Sequence, residues 1–100
     1  MRRGDVWTAV RLGHERSVVI VGNDAINHRH AGVLVVPLSD VHEPDLTMPA
    51  VADSGGKPLG TFLAHHVGQV DKAYLTSRTA VLAPASQEDV DIALRAALDL

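Results

Sequence analysis

The chain contains no cysteine, so disulfides and thiolate metal sites are ruled out, and a reducing cytoplasm is the expected home. Aromatic residues make up 3% of it: Trp7, Phe62 and Tyr74 are the only large rings, which excludes rows of base-stacking side chains. No apolar stretch is long enough for a secretory signal or a membrane span, although Arg2 and Arg3 stand near the start, so no membrane contact is expected. Net positive charge is also missing. A formal charge of −3 argues against indiscriminate binding to nucleic acid.

What is present is aliphatic. Hydrophobic residues form 46% of the 100 residues, so the core must be built from Val, Leu, Ala and Ile. The length fits one domain spanning 1–100, which at this size buries too little surface for high stability alone, so self-association is expected. The charge is uneven. Residues 1–38 carry Arg2, Arg3, Arg11, Arg16 and Arg29 against Asp5, Glu15 and Asp24, a balance of +2, whereas residues 39–100 carry a balance of −5. A local basic patch on an acidic body could hold a polyanion without promiscuous affinity.

Two runs rich in β-branched residues, Ser17 to Val21 and Val33 to Leu38, read as buried core strands. The connector from Gly22 to Gly32 holds glycines, asparagines, histidines and an arginine, and reads as a polar surface loop. Before this pair, Val6 to Arg11 alternates apolar and polar residues as a half-buried strand does. The short turn Leu12-Gly13-His14-Glu15 then predicts an antiparallel hairpin. Asp40 to Asp45 reads as a loop, and Leu46 to Val51 as an edge strand because Pro49 cannot donate to a ladder. Ala52 to Pro58 is a turn. Phe62 to Ala64 and Val67 to Val70 follow as strands, with Gly68 marking a bulge, and Asp71 caps a single helical turn.

Val81 to Pro84 closes the strand region, and a helix follows. Ser86 with Asp89 three positions on reads as its capping box, and Val90, Ala93, Leu94, Ala97 and Leu98 form an apolar stripe at helical spacing. The expected fold is therefore mainly β within an α+β class: a small, SH3-like, partly open β-barrel with a C-terminal α-helix.

The chemistry concentrates at the outer ends of the core strands, Arg16 at one entrance and Ser39 at one exit. On one side of a sheet, a guanidinium and a hydroxyl would make a phosphate site. His28 and His30 flank Arg29 on the connector and suit a solvated surface more than proton transfer. His65 and His66, placed in one strand, would point to opposite faces, which defeats chelation of one metal. Glu15 reads as a hairpin charge more than as a base.

The blocks Arg3-Gly4-Asp5-Val6-Trp7, Glu15 to Asp24 and Val33 to Ser39, with His66 to Leu75 and the closing helix in the same order, resemble the MazF/PemK toxins of bacterial toxin–antitoxin systems. The resemblance implies a homodimeric barrel that cleaves single-stranded mRNA at short sequences through the RNA 2′-hydroxyl, with no cofactor and no metal. It implies a cognate antitoxin as partner, and it makes Arg16 and Ser39 the catalytic residues. Asn23, Asn27, Arg29 and Arg11 are the expected RNA-binding residues. Three features set the chain apart from that family: Ser17 where proline usually follows the arginine, a very short first loop, and Ser39 in place of the commoner threonine. The alternative is a barrel that binds only a protein partner, as a degenerate enzyme or as a gyrase poison. Gyrase poisons rely on a Trp-Gly-Ile ending, and residues 97–100 read Ala-Leu-Asp-Leu.

Overall fold

A computed structural model describes residues 1–41 and 43–99, with residue 26 described by its backbone alone. Strand β1 (Asp5–Arg11) turns directly into β2 (His14–Ile20), followed by α1 (Asp24–Arg29), β3 (Gly32–Ser39), β4 (Ala50–Ala52) and β5 (Pro58–Phe62). A 3₁₀ turn at Ala64–His66 leads to β6 (Gly68–Asp71), and a second at Lys72–Tyr74 leads to β7 (Leu75–Val81) and α2 (Pro84–Ala97). The strands form one antiparallel sheet in the order β4-β5-β3-β2-β1-β7, with β6 beside β3. The two outermost strands are tied end to end: Asp53 bridges Leu82, Ser54 N–H donates to Val81 O and Ala83 N–H donates to Ala52 O. The sheet thereby curls into the expected partly open barrel, with α2 as the C-terminal helix.

The expected hairpin is present. Leu12 and Gly13 have φ of 52° and 80°, the two left-handed positions that a tight primed turn requires. Leucine is an uncommon occupant there, and its side chain stands 90% exposed at the tip.

Because β2 and β3 are apolar on both sides, the sheet has two buried faces. Val6, Val19, Val36, Leu38, Phe62 and Leu82 pack on one, sealed by Val90 and Ala93 of α2. Val18, Ile20, Val33, Val35 and Leu75 pack on the other, with Trp7, Ala9 and Val70 partly buried against them.

Several expectations change. The connector is not a loop: residues 24–29 form α1, where Asn23 Oδ1 accepts from Ala25 N–H and Asn27 N–H donates to Asn23 O. Helix α2 begins at Pro84 with Ala83 as its cap, three residues before the expected start, since proline is pre-set for the first helical position. Ser86 is thus no cap. It lies buried, its Oγ accepting the Ala52 N–H at 2.9 Å. The stripe holds at Val90 and Ala93 and weakens towards Leu98, which is 49% exposed.

The edge strand β4 begins later than expected, at Ala50, because Asp45–Met48 closes a turn of its own. Asp40 to Asp45 carries no helix or strand among its described residues; His42 lies outside them. Gly68 opens β6, opposite Val35, and forms no bulge. His65 and His66 lie in the 3₁₀ turn, with their rings edge to face at 4.2 Å. Asp71 caps the next turn as expected, its carboxylate accepting from Ala73 N–H.

Candidate active site at the mouth between β2 and β3

The β2–β3 ladder pairs Val18 with Pro37, Val19 with Val36 and Ile20 with Val35, and stops there. Extended two residues, the same register sets Arg16 opposite Ser39. Side chains alternate along a strand, so Arg16 shares a face with Val18 and Ile20, and Ser39 shares it with Val33 and Val35. The two residues therefore stand on one face of the sheet, at the ends where the strands part.

The ladder ends because the strands part. Beyond Val18, β2 stays with β1, Arg16 pairing with Ala9, while β3 turns to β5, Leu38 pairing with Phe62 and Ser39 with Thr61. The gap is an open cavity of about 620 Å³ lined by Glu15, Arg16, Ser17, Leu38, Ser39, Asp40, Val41 and Leu59. Arg16 lines it from β2 and Ser39 from β3, and the acidic Glu15 and Asp40 line it with them.

Ser39 is held from two directions. Its Oγ accepts the Val41 N–H at 3.2 Å, which restricts the side chain that lacks threonine's methyl. Behind it, Gly60 has φ of 118°, and a Cβ there would lie 2.8 Å from the Ser39 carbonyl oxygen. Glycine at this position allows β5 to approach closely. The sequence reading missed Gly60, although an isolated glycine within a strand is a signal of close backbone approach.

The four expected RNA-binding residues do not join this cavity. Arg11 is exposed near the hairpin tip, its guanidinium 5.5 Å from the centre of the Tyr74 ring. Arg29 is exposed in the last turn of α1. Asn23 caps α1 and lines a separate depression with Arg3, Asp24 and Asp91, where Arg3 and Asp91 form an ion pair. Asn27 departs most from expectation. It is 1% exposed, with Nδ2 donating to Gly22 O at 2.9 Å, so it offers nothing to a ligand on the outer surface. A helix in place of a loop turned this side chain inward.

Among the described residues, no cluster of three or more His, Asp or Glu side chains is arranged to hold a metal ion, and no helix is long and apolar enough to cross a membrane.

The family model for the PemK-like, MazF-like toxin of type II toxin–antitoxin systems matches residues 2–98. An endoribonuclease from a mycobacterial species, solved in complex with its cognate antitoxin, is 26% identical and superposes with a TM-score of 0.90, covering 100% of this chain and 96% of its own. Another mycobacterial endoribonuclease is 28% identical with a TM-score of 0.85, over 100% and 92% of the two chains. At 16% identity, the MazE–MazF complex from Deinococcus radiodurans shares the fold, with a TM-score of 0.84 over 100% of this chain and 96% of that one. No curated protein matches. A family match over nearly the whole length, on a barrel whose strand order brings Arg16 and Ser39 together, shows that the chain belongs to the PemK-like, MazF-like toxin family of type II toxin–antitoxin systems.

Proposed function

We propose that this toxin is an endoribonuclease that cleaves single-stranded mRNA at short sequences, using the RNA's own 2′-hydroxyl as nucleophile. The observation that carries the reading is the shared cavity of Arg16 and Ser39 at the parted ends of β2 and β3. Attack by an adjacent hydroxyl on a phosphodiester needs no protein nucleophile and no metal. It needs a proton acceptor, and it needs stabilisation of the charge that builds on the non-bridging oxygens.

Arg16 supplies that stabilisation. Its guanidinium is planar and permanently charged, and it presents a fork that matches two phosphate oxygens. It holds its proton too tightly to act as a base. Ser39 donates a neutral hydrogen bond from the opposite strand, its rotamer set by Val41 N–H. Glu15 and Asp40 line the same cavity, and their carboxylates are the side chains there with the chemistry of a general base. Arg11, Arg29 and Asn23 lie on the outer surface, where they would steer or hold the flanking RNA.

The active form is a homodimer in the cytoplasm, since a domain of this size with few large side chains gains by covering apolar surface with a second copy. A cognate antitoxin with an acidic segment would cover the surface around Arg16 and compete with RNA there.

The decisive test is incubation with a long, structure-poor RNA in EDTA, followed by mapping of cut sites and end groups. Cleavage at a recurring short sequence, leaving 2′,3′-cyclic phosphate, is expected. A requirement for added metal, or products ending in a 3′-hydroxyl, would overturn the mechanism.

A further inference from the structure

The cavity between β2 and β3 holds more than the chemistry at a phosphate requires. Its volume of about 620 Å³ is that of a site for a whole small molecule, not for one phosphate group. Among its described lining residues, one guanidinium, that of Arg16, stands with two carboxylates, those of Glu15 and Asp40. An excess of negative charge opposes a polyanion there unless each carboxylate meets a hydrogen-bond donor on it. Attack by the 2′-hydroxyl uses one such acceptor. The second is left for a different donor.

Part of the wall is aliphatic. Leu38 is buried, Leu59 is half-buried, and Val41 is 82% exposed although it lines the same cavity as the charged side chains. Ser39 pairs with Thr61, and two residues on from that pair lie Val41 on one chain and Leu59 on the other, both in this wall. The bond from Val41 N–H to Ser39 Oγ, at 3.2 Å, ties residues 39–41 into a tight turn and so keeps Asp40 and Val41 beside the serine. Together Val41 and Leu59 offer an apolar ledge. It suits the flat face of a nucleobase, whose seating there removes apolar area from water.

Resting on the endoribonuclease reading given above, we infer that this end of the cavity is its specificity subsite: the base of a nucleotide next to the scissile phosphate lies on Val41 and Leu59, and Asp40 reads the edge of that base. The carboxylate decides which base it is. It only accepts hydrogen bonds, and it does so through two oxygens side by side. Guanine presents two donors side by side on its Watson–Crick edge, the N1–H and the 2-amino group. Adenine and cytosine set a ring acceptor beside their amino group, and uracil sets a carbonyl on either side of its N–H, so each places a lone pair against the carboxylate. Guanine is therefore the favoured base at that nucleotide. The proton acceptor of the reaction is then Glu15, which adjoins Arg16 in the chain.

The probe is a fluorescently labelled heptamer, UUUGUUU, made with 2′-fluoro sugars so that it cannot be cut, beside versions in which inosine, adenosine or uridine replaces the guanosine. Anisotropy titration of the intact protein should show the guanosine heptamer binding about tenfold more tightly than the other three, the worth of one bidentate contact. Inosine is the sharpest comparison, since it lacks only the 2-amino group. In Asp40→Asn the preference for guanosine over inosine should shrink to about twofold or less, because an amide cannot accept both bonds. In Val41→Ser the guanosine heptamer should weaken roughly fivefold with its preference kept, the loss of one or two covered methyl groups. Equal binding of the guanosine and inosine heptamers by the unaltered protein would overturn the subsite whatever the variants show. An undiminished preference in Asp40→Asn would overturn the role of that carboxylate. All-ribose heptamers incubated in EDTA separate this inference from the cleavage reading. Cutting beside the guanosine is expected, slower with inosine in the unaltered protein but not in Asp40→Asn. Cutting without regard to the base would sink the subsite and leave the nuclease standing, whereas a guanosine preference in binding with no cutting would do the reverse. Equal slowing of the guanosine and inosine substrates in Asp40→Asn would make Asp40 the base of the reaction and remove it from recognition.

Discussion

The two faces of the sheet are made from the same strands, yet one is closed and the other is not. On the closed face, Val19, Val36, Leu38 and Phe62 are covered by Val90 and Ala93 of α2, and the side chains there have no polar work to do. The opposite face begins as core, with Ile20 and Val33 fully buried, and then opens along the strands to Trp7, Arg16 and Ser39. The alternation that fills one face with valine sets Arg16 and Ser39 on the other. Substitutions under α2 should therefore act mainly on stability, and substitutions of Arg16 and Ser39 at the open end mainly on cleavage.

The largest effect is expected on the closed face. Phe62 has no exposed surface and is the largest buried side chain. Phe62→Ala should cost about 3 to 5 kcal/mol, a large part of the stability of a small domain. Urea unfolding measures it directly. A loss below about 1 kcal/mol would mean that α2 does not seal this face as described.

Arg16→Ala makes the opposite case. The residue is exposed and pairs through its backbone with Ala9, so stability should change by less than about 0.5 kcal/mol. Cleavage should fall by about a hundred- to a thousandfold, the usual loss when one pre-organised donor is removed from a developing oxyanion. Arg16→Lys should recover only part of the rate, since a point charge lacks the bidentate fork. Measured together, kcat/KM and the thermal midpoint would break the comparison if they moved in step.

Gly60 joins the two faces and should show a mixed effect. Its Cβ would meet the Ser39 carbonyl oxygen at 2.8 Å, and its φ of 118° is unfavourable for any L side chain. Gly60→Ala should therefore cost about 1 to 3 kcal/mol and also lower kcat by displacing Ser39. Wild-type kcat in a destabilised Gly60→Ala protein would show that the glycine serves the fold alone.

The same contrast explains what could be read from the chain. The core strands were legible because Val18 to Ile20 and Val33 to Val36 are apolar on both sides, and the hairpin because Leu12-Gly13 leaves room for little else. Strand β7 was not. Thr76, Ser77, Arg78 and Thr79 are all exposed, and the strand is held by backbone pairing to β1 and by the hydroxyls of Thr76 and Thr79, which donate to Thr8 O and Val6 O. An edge strand of this kind leaves no hydrophobic period. Helix α1 was hidden for a related reason, its six residues being too few for a stripe. In the site, Arg16 and Ser39 could be named because each ends an apolar run. Asn27 was read onto a surface loop because its burial depends on α1, and Gly60 passed unnoticed because its close approach appears only against the Ser39 carbonyl.

The smallest expected effect lies in the turn between β3 and β4. The Asp45 carboxyl is held below the usual carboxylate range, first by the Thr47 hydroxyl, which donates at 2.9 Å, and then by the Thr47 N–H at 2.8 Å. Partial desolvation opposes this, and the Met48 N–H and the positive charge of His65 add to it. Because the folded-state value is lowered, the stabilisation of the turn is fully present above the ordinary carboxylate pKa and is lost as pH falls through the lowered one. At neutral pH, Asp45→Asn should loosen the turn alone, leaving both faces of the sheet and the Arg16–Ser39 cavity in place. Amide hydrogen exchange checks this: protection of Thr47 and Met48, corrected for intrinsic rates, should fall on acidification in the wild type and be low at all pH values in Asp45→Asn. Protection at Val19 and Val36, whose stability comes from the closed face, should stay the same in both proteins at neutral pH. If it fell there too, the turn would be coupled to the core, and the separation between the two faces would be weaker than their packing indicates.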